Sequence, residues 1–248
     1  MKNIYFISDA HLGSRLVANP REHEARLVRW LDSVKSTAST IYLLGDMFDF
    51  WFEYHTVVPK GYVRFLGKLA ELVDAGIDIH FFIGNHDIWA FDYFEKEIGL
   101  TVHREPLTVA HFGKTFYLRH GDGVEGDDNS FQLVRKIFHN RFLQKCYMCV
   151  PPRLGQNIGY WWAKKSRQNL TDAETKYKGE DGETIVRFAK KYAETHPVDY
   201  LVFGHRHLLL NLTLAQNEQV IILGDFIQYF SYGKFDGKTF ELKTFEEK

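Results

Sequence analysis

Five apolar runs of strand length in this chain each stop at a cluster of Asp, His or Asn, and that repetition constrains the fold more than any other feature. The run at 4–7 leads into Ser8-Asp9-Ala10-His11, the run at 41–44 into Gly45-Asp46-Met47-Phe48-Asp49, and the run at 79–83 into Gly84-Asn85-His86-Asp87. Residues 116–119 lead into His120-Gly121-Asp122, and 200–203 into Gly204-His205-Arg206-His207. A short apolar run stopped by glycine reads as a buried strand. One Gly-Asp after a strand is more often an ordinary turn, Asp9-x-His11 alone can be a capped turn, and a single His207 can be a surface histidine. Recurrence at five strand ends instead suggests oxygen and imidazole ligands brought together, with one carboxylate shared between two metal ions as the economical arrangement.

The segments between these runs set the fold class. Residues 21–34 carry Leu27, Val28, Leu31 and Val34 at helical spacing, and 62–73 carry Tyr62, Leu66, Leu69, Ala70 and Val73 before Ala75-Gly76. Strand and helix alternate to about residue 98, which predicts a layered α/β arrangement with crossover connections. Just past Asp49, Phe50-Trp51-Phe52-Glu53-Tyr54 reads mainly as core packing, with a substrate wall as the alternative. Shorter strands follow near Val102, 107–110 and 115–118. Residues of about 125–195 then read as a helical cap inserted into a single domain of 1–248. In the middle of that block Arg135, Lys136, Arg141, Lys145, Arg153, Lys164, Lys165, Arg167, Lys176 and Lys178 outnumber Asp172 and Glu174, interleaved with Phe138, Phe142, Leu143, Tyr147, Trp161 and Trp162. Two readings stand for this block: the solvated face of an amphipathic hairpin, or a lid suited to an amphiphilic anion or a membrane surface. Runs at 208–214, 220–223, 227–232 and 239–244, with Gly233 and Gly237 at turns, predict a closing antiparallel meander.

Composition excludes several function classes. With 45% hydrophobic and 25% charged residues the chain is globular, and a net charge of -1 argues against a general nucleic-acid coat. No apolar run approaches the roughly 18 residues that span a bilayer. A cleaved leader would remove Asp9, so a cytoplasmic location is expected. Cys146 and Cys149 form a Cys-x-x-Cys with no second pair, and are expected as reduced helix residues.

Carboxylate, imidazole and one amide oxygen suit Mn²⁺, Fe²⁺ or Zn²⁺. Two such ions about 3.5–4 Å apart can activate a water between them and neutralise phosphoryl oxygens. Asp9-Ala10-His11, Gly45-Asp46-Met47-Phe48-Asp49, Gly84-Asn85-His86-Asp87, His120 and Gly204-His205-Arg206-His207 together resemble the signature of the calcineurin-like metallophosphoesterases. That resemblance implies two mixed sheets flanked by helices, with Asp9, His11, Asp46 and His207 on one ion and Asp46, Asn85, His120 and His205 on the other. It also implies that His86 stabilises the phosphoryl oxygens or protonates the leaving group, with Asp87 holding its imidazole, and that Asp49 supports the site without ligating. Within the superfamily, residues 6–13, 44–51, His120-Gly121-Asp122 followed by Asp127-Asp128, and Leu223-Gly224-Asp225 are similar to the UDP-2,3-diacylglucosamine pyrophosphatases of lipid A synthesis. Where better-known members of that group carry Arg after Gly-Asn, this chain has His86. The resemblance implies Mn²⁺-dependent cleavage of a lipid nucleotide to UMP and lipid X at the cytoplasmic face of the inner membrane, with no nucleic-acid partner. Its implied substrate contacts are Asp128, Arg153, Lys164, Lys165, Ser166 and Arg167. The alternatives are a phosphodiesterase or phosphatase on another ester, and a metal-free binding module, whose mark would be missing ligands.

Overall fold

The ligand-bearing strands that end at Ile7, Leu44 and Phe203 are buried on both faces, and such strands need cover on both sides. The computed structural model, which describes residues 2–124, 129–168 and 176–246, supplies it with four layers. The first sheet contains β1 (Asn3–Ile7), β2 (Ala38–Leu44), β3 (Asp78–Phe82), β4 (Thr101–His103), β10 (Ser231–Phe235) and β11 (Phe240–Thr244), in the order β11-β10-β1-β2-β3-β4. The second contains β5 (Leu107–His111), β6 (Lys114–Arg119), β7 (Tyr200–Phe203), β8 (Leu209–Thr213) and β9 (Gln219–Leu223), in the order β5-β6-β7-β9-β8. Strands β1 to β4 run parallel, as do β6, β7 and β9.

Alternate residues of the two sheets meet in a central core: Ile4, Phe6, Tyr42 and Leu44 from one, Phe116, Leu118, Val202 and Ile221 from the other. The intervening residues face helices. Tyr5, Ile7, Ile41 and Leu43 pack under α1 (Pro20–Lys35) and α2 (Val63–Asp74), through Leu27, Trp30, Leu31 and Phe65. Helix α1 begins where expected because Pro20 opens it and the Asn19 side chain accepts from the Glu22 N–H.

The expected cap contains helices of two kinds. α3 (Asn129–His139), α4 (Arg141–Met148) and α5 (Pro152–Gln168) lie against the loops at the ligand-bearing edge, where Tyr160 meets Phe50 and Tyr62, and Trp89 stacks on Tyr147. Helix α6 (Thr184–Ala193) instead buries Ile185, Val186 and Ala189 against Leu201, Phe203 and Ile222, so it is the outer layer of the second sheet. The closing meander is corrected. β8 pairs antiparallel with β9 in the second sheet and β10 with β11 in the first, and the 227–232 run is mostly the crossing between them. Asp225 breaks the meander: its carboxylate accepts from the N–H groups of Ile227, Gln228 and Tyr229, fixing a turn where a strand was expected.

Candidate metal centre

Because β1, β2 and β3 are parallel in one sheet and β6 and β7 in the other, all five ligand-bearing ends open at one edge of the sandwich, the place where layered α/β proteins bind ligands. Backbone bonds lock the turns together. Asp9 N–H donates to Gly45 O at 3.1 Å, His11 N–H to Asp46 O at 2.9 Å, and Gly204 N–H to His120 O at 2.8 Å. Gly84 must be glycine, because a Cβ there would strike the Asp46 carboxylate.

Three groups of ligand atoms converge: Asp9 with His11 and His207, His11 with Asp46 and His86, and Asp46 with His120 and His205. His11 Nε2 and His207 Nε2 lie 3.2 Å apart, and His120 Nε2 lies 3.3 Å from both Asp46 Oδ2 and Asn85 Oδ1. Asp46 and His11 each belong to two of the groups. Asp9 Oδ1 is buried with no hydrogen-bond partner, an atom a cation would satisfy. Burial opposes charge on Asp46 and on His120, but their mutual attraction outweighs it, so the carboxyl is held well below its usual range and the imidazole well above. Burial, reinforced by His120, pushes His205 down to about 3, leaving it neutral with a lone pair to donate. The donor set and its geometry fit a pair of divalent ions.

A family model described as calcineurin-like phosphoesterase matches residues 2–209. The chain belongs to that family. A Porphyromonas gingivalis protein named UDP-2,3-diacylglucosamine hydrolase is 44% identical over 256 residues, covering 98% of this chain and 98% of its own. One of the same name from Haemophilus influenzae is 30% identical over 242 residues, covering 95% and 96%. Among solved structures, the Escherichia coli phosphoesterase Yfce superposes on 98% of this chain and 92% of its own with a TM-score of 0.47 and 16% identity. Membership of the phosphoesterase family, with this Asp and His cluster, implies a metal-dependent hydrolase.

In this phosphoesterase the seven expected ligands, Asp9, His11, Asp46, Asn85, His120, His205 and His207, lie in one connected cluster. His86 joins it, with Nδ1–H donated to the Asp49 carbonyl at 2.8 Å. The expected role of Asp87 is corrected. Its carboxylate accepts from the Gly84 N–H at 2.6 Å and the Met47 N–H at 2.9 Å, so it ties the β3 turn to the β2 turn and holds the His86 ring by no bond. Asp49 approaches His11 Nδ1 at 3.6 Å, beside the ligand's far nitrogen. Arg153 and Lys165 are exposed on α5, with the Lys165 ammonium 5.2 Å from the Trp161 ring centre, and Lys164 is half-buried. Among the described residues none of these three forms an ion pair. Asp128 and the side chains of Ser166 and Arg167 lie outside the described residues. Cys146 and Cys149 are exposed free thiols at the end of α4.

Two supports escaped sequence reasoning. Asp225 Oδ2 accepts from His207 Nδ1 at 3.2 Å, a carboxylate-imidazole pair that aims Nε2 at the cluster. Its signal was the same strand-Gly-Asp pattern, Leu223-Gly224-Asp225, that marked Asp46. Glu183, 1% exposed at the start of α6, takes both Nε–H and a terminal N–H of Arg206 and so grips the residue between His205 and His207. Nothing in the sequence pairs residues 183 and 206.

Proposed function

We propose that this phosphoesterase hydrolyses the pyrophosphate of UDP-2,3-diacylglucosamine to UMP and 2,3-diacylglucosamine 1-phosphate. Asp9, His11, Asp46 and His207 would hold one ion and Asp46, Asn85, His120 and His205 the other, with Mn²⁺ the metal. When bound, such a pair supplies a water of lowered pKa and neutralises charge on the phosphoryl oxygens. The chain's own residues do the rest. With Nδ1–H donated to Asp49 O, the His86 ring is fixed and Nε2 is the atom that meets a phosphoryl or leaving oxygen. Asp87 keeps that turn in register through the N–H groups of Gly84 and Met47.

One observation carries the lipid reading: an apolar, cationic roof stands beside the ligand cluster. Phe142, Leu154, Ile158, Trp161 and Trp162 are exposed on α4 and α5, while Gly155 and Gly159 let α5 close on Tyr54 and Phe50. An acyl chain supplies what those surfaces lack, at roughly 0.8 kcal/mol per buried CH₂. The names of the two relatives support the same substrate. We assign α3 to α5 as a cap over the site and place the protein at the cytoplasmic surface of the inner membrane. No helix among the described residues is long and apolar enough to cross a membrane, so the exposed cap residues would make that contact.

The test is release of UMP from UDP-2,3-diacylglucosamine with Mn²⁺, compared with a deacylated analogue. Fast release that falls sharply on deacylation is expected. Equal rates on both, or turnover confined to bis-p-nitrophenyl phosphate, would contradict the lipid substrate and leave a general phosphodiesterase.

A further inference from the structure

Two different surfaces flank the ligand cluster. On the His86 side stands the aromatic wall, where Phe50 and Tyr62 meet Tyr160 of α5. On the His120 side a cavity of about 240 Å³ lies between the loop after β4, with Arg104 and Glu105, the end of β6 and the turn after it, with Arg119 and Asp122, and α3, with Arg135 and His139. Gly84 and His120 are part of its wall, so it is continuous with the cluster.

The arginines of this cavity are anchored from behind. Arg119 donates a terminal N–H to the carbonyls of Asp122 and Gly123, both at 3.0 Å. The Arg135 Nε–H goes to Asp122 Oδ2 at 3.0 Å, and a terminal N–H of Arg104 goes to the Phe91 carbonyl. A guanidinium held at one edge keeps other donors in a planar fork, the arrangement that suits a phosphate oxygen pair. Asp122 is already answered by Arg135, and Glu105 at the rim is an acceptor for a ribose hydroxyl. Its guanidinium lining would leave acyl chains facing charge, so the cavity suits the polar half of the substrate and not the apolar one.

The geometry points to this cavity as the seat of the nucleoside monophosphate half of the substrate, with the acylated sugar lying across the ions against the aromatic wall. This rests on the proposed UDP-linked lipid substrate and adds its direction: nucleotide toward Arg104 and Arg135, acyl chains toward α5. The polar half of the molecule is then read by guanidinium and carboxylate groups, and the apolar half by rings.

The experiment is calorimetric titration of the Mn²⁺-loaded protein with UMP and, separately, with 2,3-diacylglucosamine 1-phosphate. Wild type is compared with Arg104→Gln, which removes a rim cation, and His139→Trp, which fills the cavity from the exposed face of α3. Melting temperature and bound manganese identify any variant that has lost its fold. The expected result is UMP affinity reduced about tenfold or more in each folded variant, by loss of one charge-assisted contact in Arg104→Gln and by occlusion of the cavity in His139→Trp, with the acylated sugar phosphate bound as in wild type. Unchanged UMP affinity in the folded variants, or a loss confined to the acylated sugar phosphate, would overturn the assignment. A wild type that binds UMP in the cavity yet releases none from UDP-2,3-diacylglucosamine would contradict the substrate reading alone.

Discussion

Five of the seven candidate ligand residues have left-handed backbones: Asp9 (φ 54°), His11 (φ 42°), Asp46 (φ 53°), His205 (φ 69°) and His207 (φ 47°). Such conformations cost of order 1–3 kcal/mol each for residues other than glycine, although Asp and His tolerate them better than most. The strain aims side chains from strand ends into one volume, where bound ions would stabilise it. Chelation should therefore lower the melting temperature and Mn²⁺ should restore it, by about 2.7 kcal/mol at a hundredfold excess over Kd. A melting curve that ignores EDTA would contradict this. Asp46→Ala should remove both ions and all turnover, measured as metal per chain after dialysis, since that carboxylate joins two groups of ligand atoms. Asp225→Asn should weaken metal binding by roughly 10–100-fold, because His207 loses the acceptor that orients it. Ordinary metal affinity in that variant would make Asp225 only a cap for Ile227, Gln228 and Tyr229. The ligands themselves were legible because each follows an apolar run and a turn. The left-handed backbone was not, since Asp and His carry no local mark of φ.

At the scale of elements, α5 decides how the roof meets the site. Gly159 packs so closely on Phe50, and Gly155 on Tyr54, that a Cβ at either position would collide with a ring. Gly159→Leu should lift α5 from the wall, and hydrolysis of the acylated substrate should fall by tenfold or more while bound metal is unchanged. Equal turnover in that variant would separate the cap from lipid handling. The periodicities of α1 and α2 were readable because one face of each is buried on a sheet. The cap boundary was harder, because α6 carries the same amphipathic pattern as its neighbours yet covers the second sheet. The last two hairpins read as one meander for a related reason. Local alternation does not say which sheet a strand joins, and Asp225 turns the chain from β9 to β10 across the sandwich.

For the whole molecule, the parallel strands of two sheets end together, and their shared direction lets one edge hold all the candidate chemistry while the core stays apolar. The opposite requirement, keeping histidine neutral inside the packing, gives a pH signature. His103 stacks on Phe82 at 4.6 Å and shares a 2.8 Å hydrogen bond with His80. Burial first, then charge on His80, pushes it down to about 4. The unfolded chain takes up that proton near 6.5 and the folded one does not until about 4, so its contribution to stability is full above 6.5 and is lost as pH falls between those values. Denaturant melts at pH 7 and pH 5 should differ less in His103→Phe than in wild type; an equal difference would exclude His103 as a source. The central claim is that Asp46 bridges two ions, and an anomalous difference map from crystals grown with Mn²⁺ tests it most directly. Two peaks about 3.5–4 Å apart, with the Asp46 carboxylate between them, are predicted; a single peak, or peaks away from Asp46, would contradict the account.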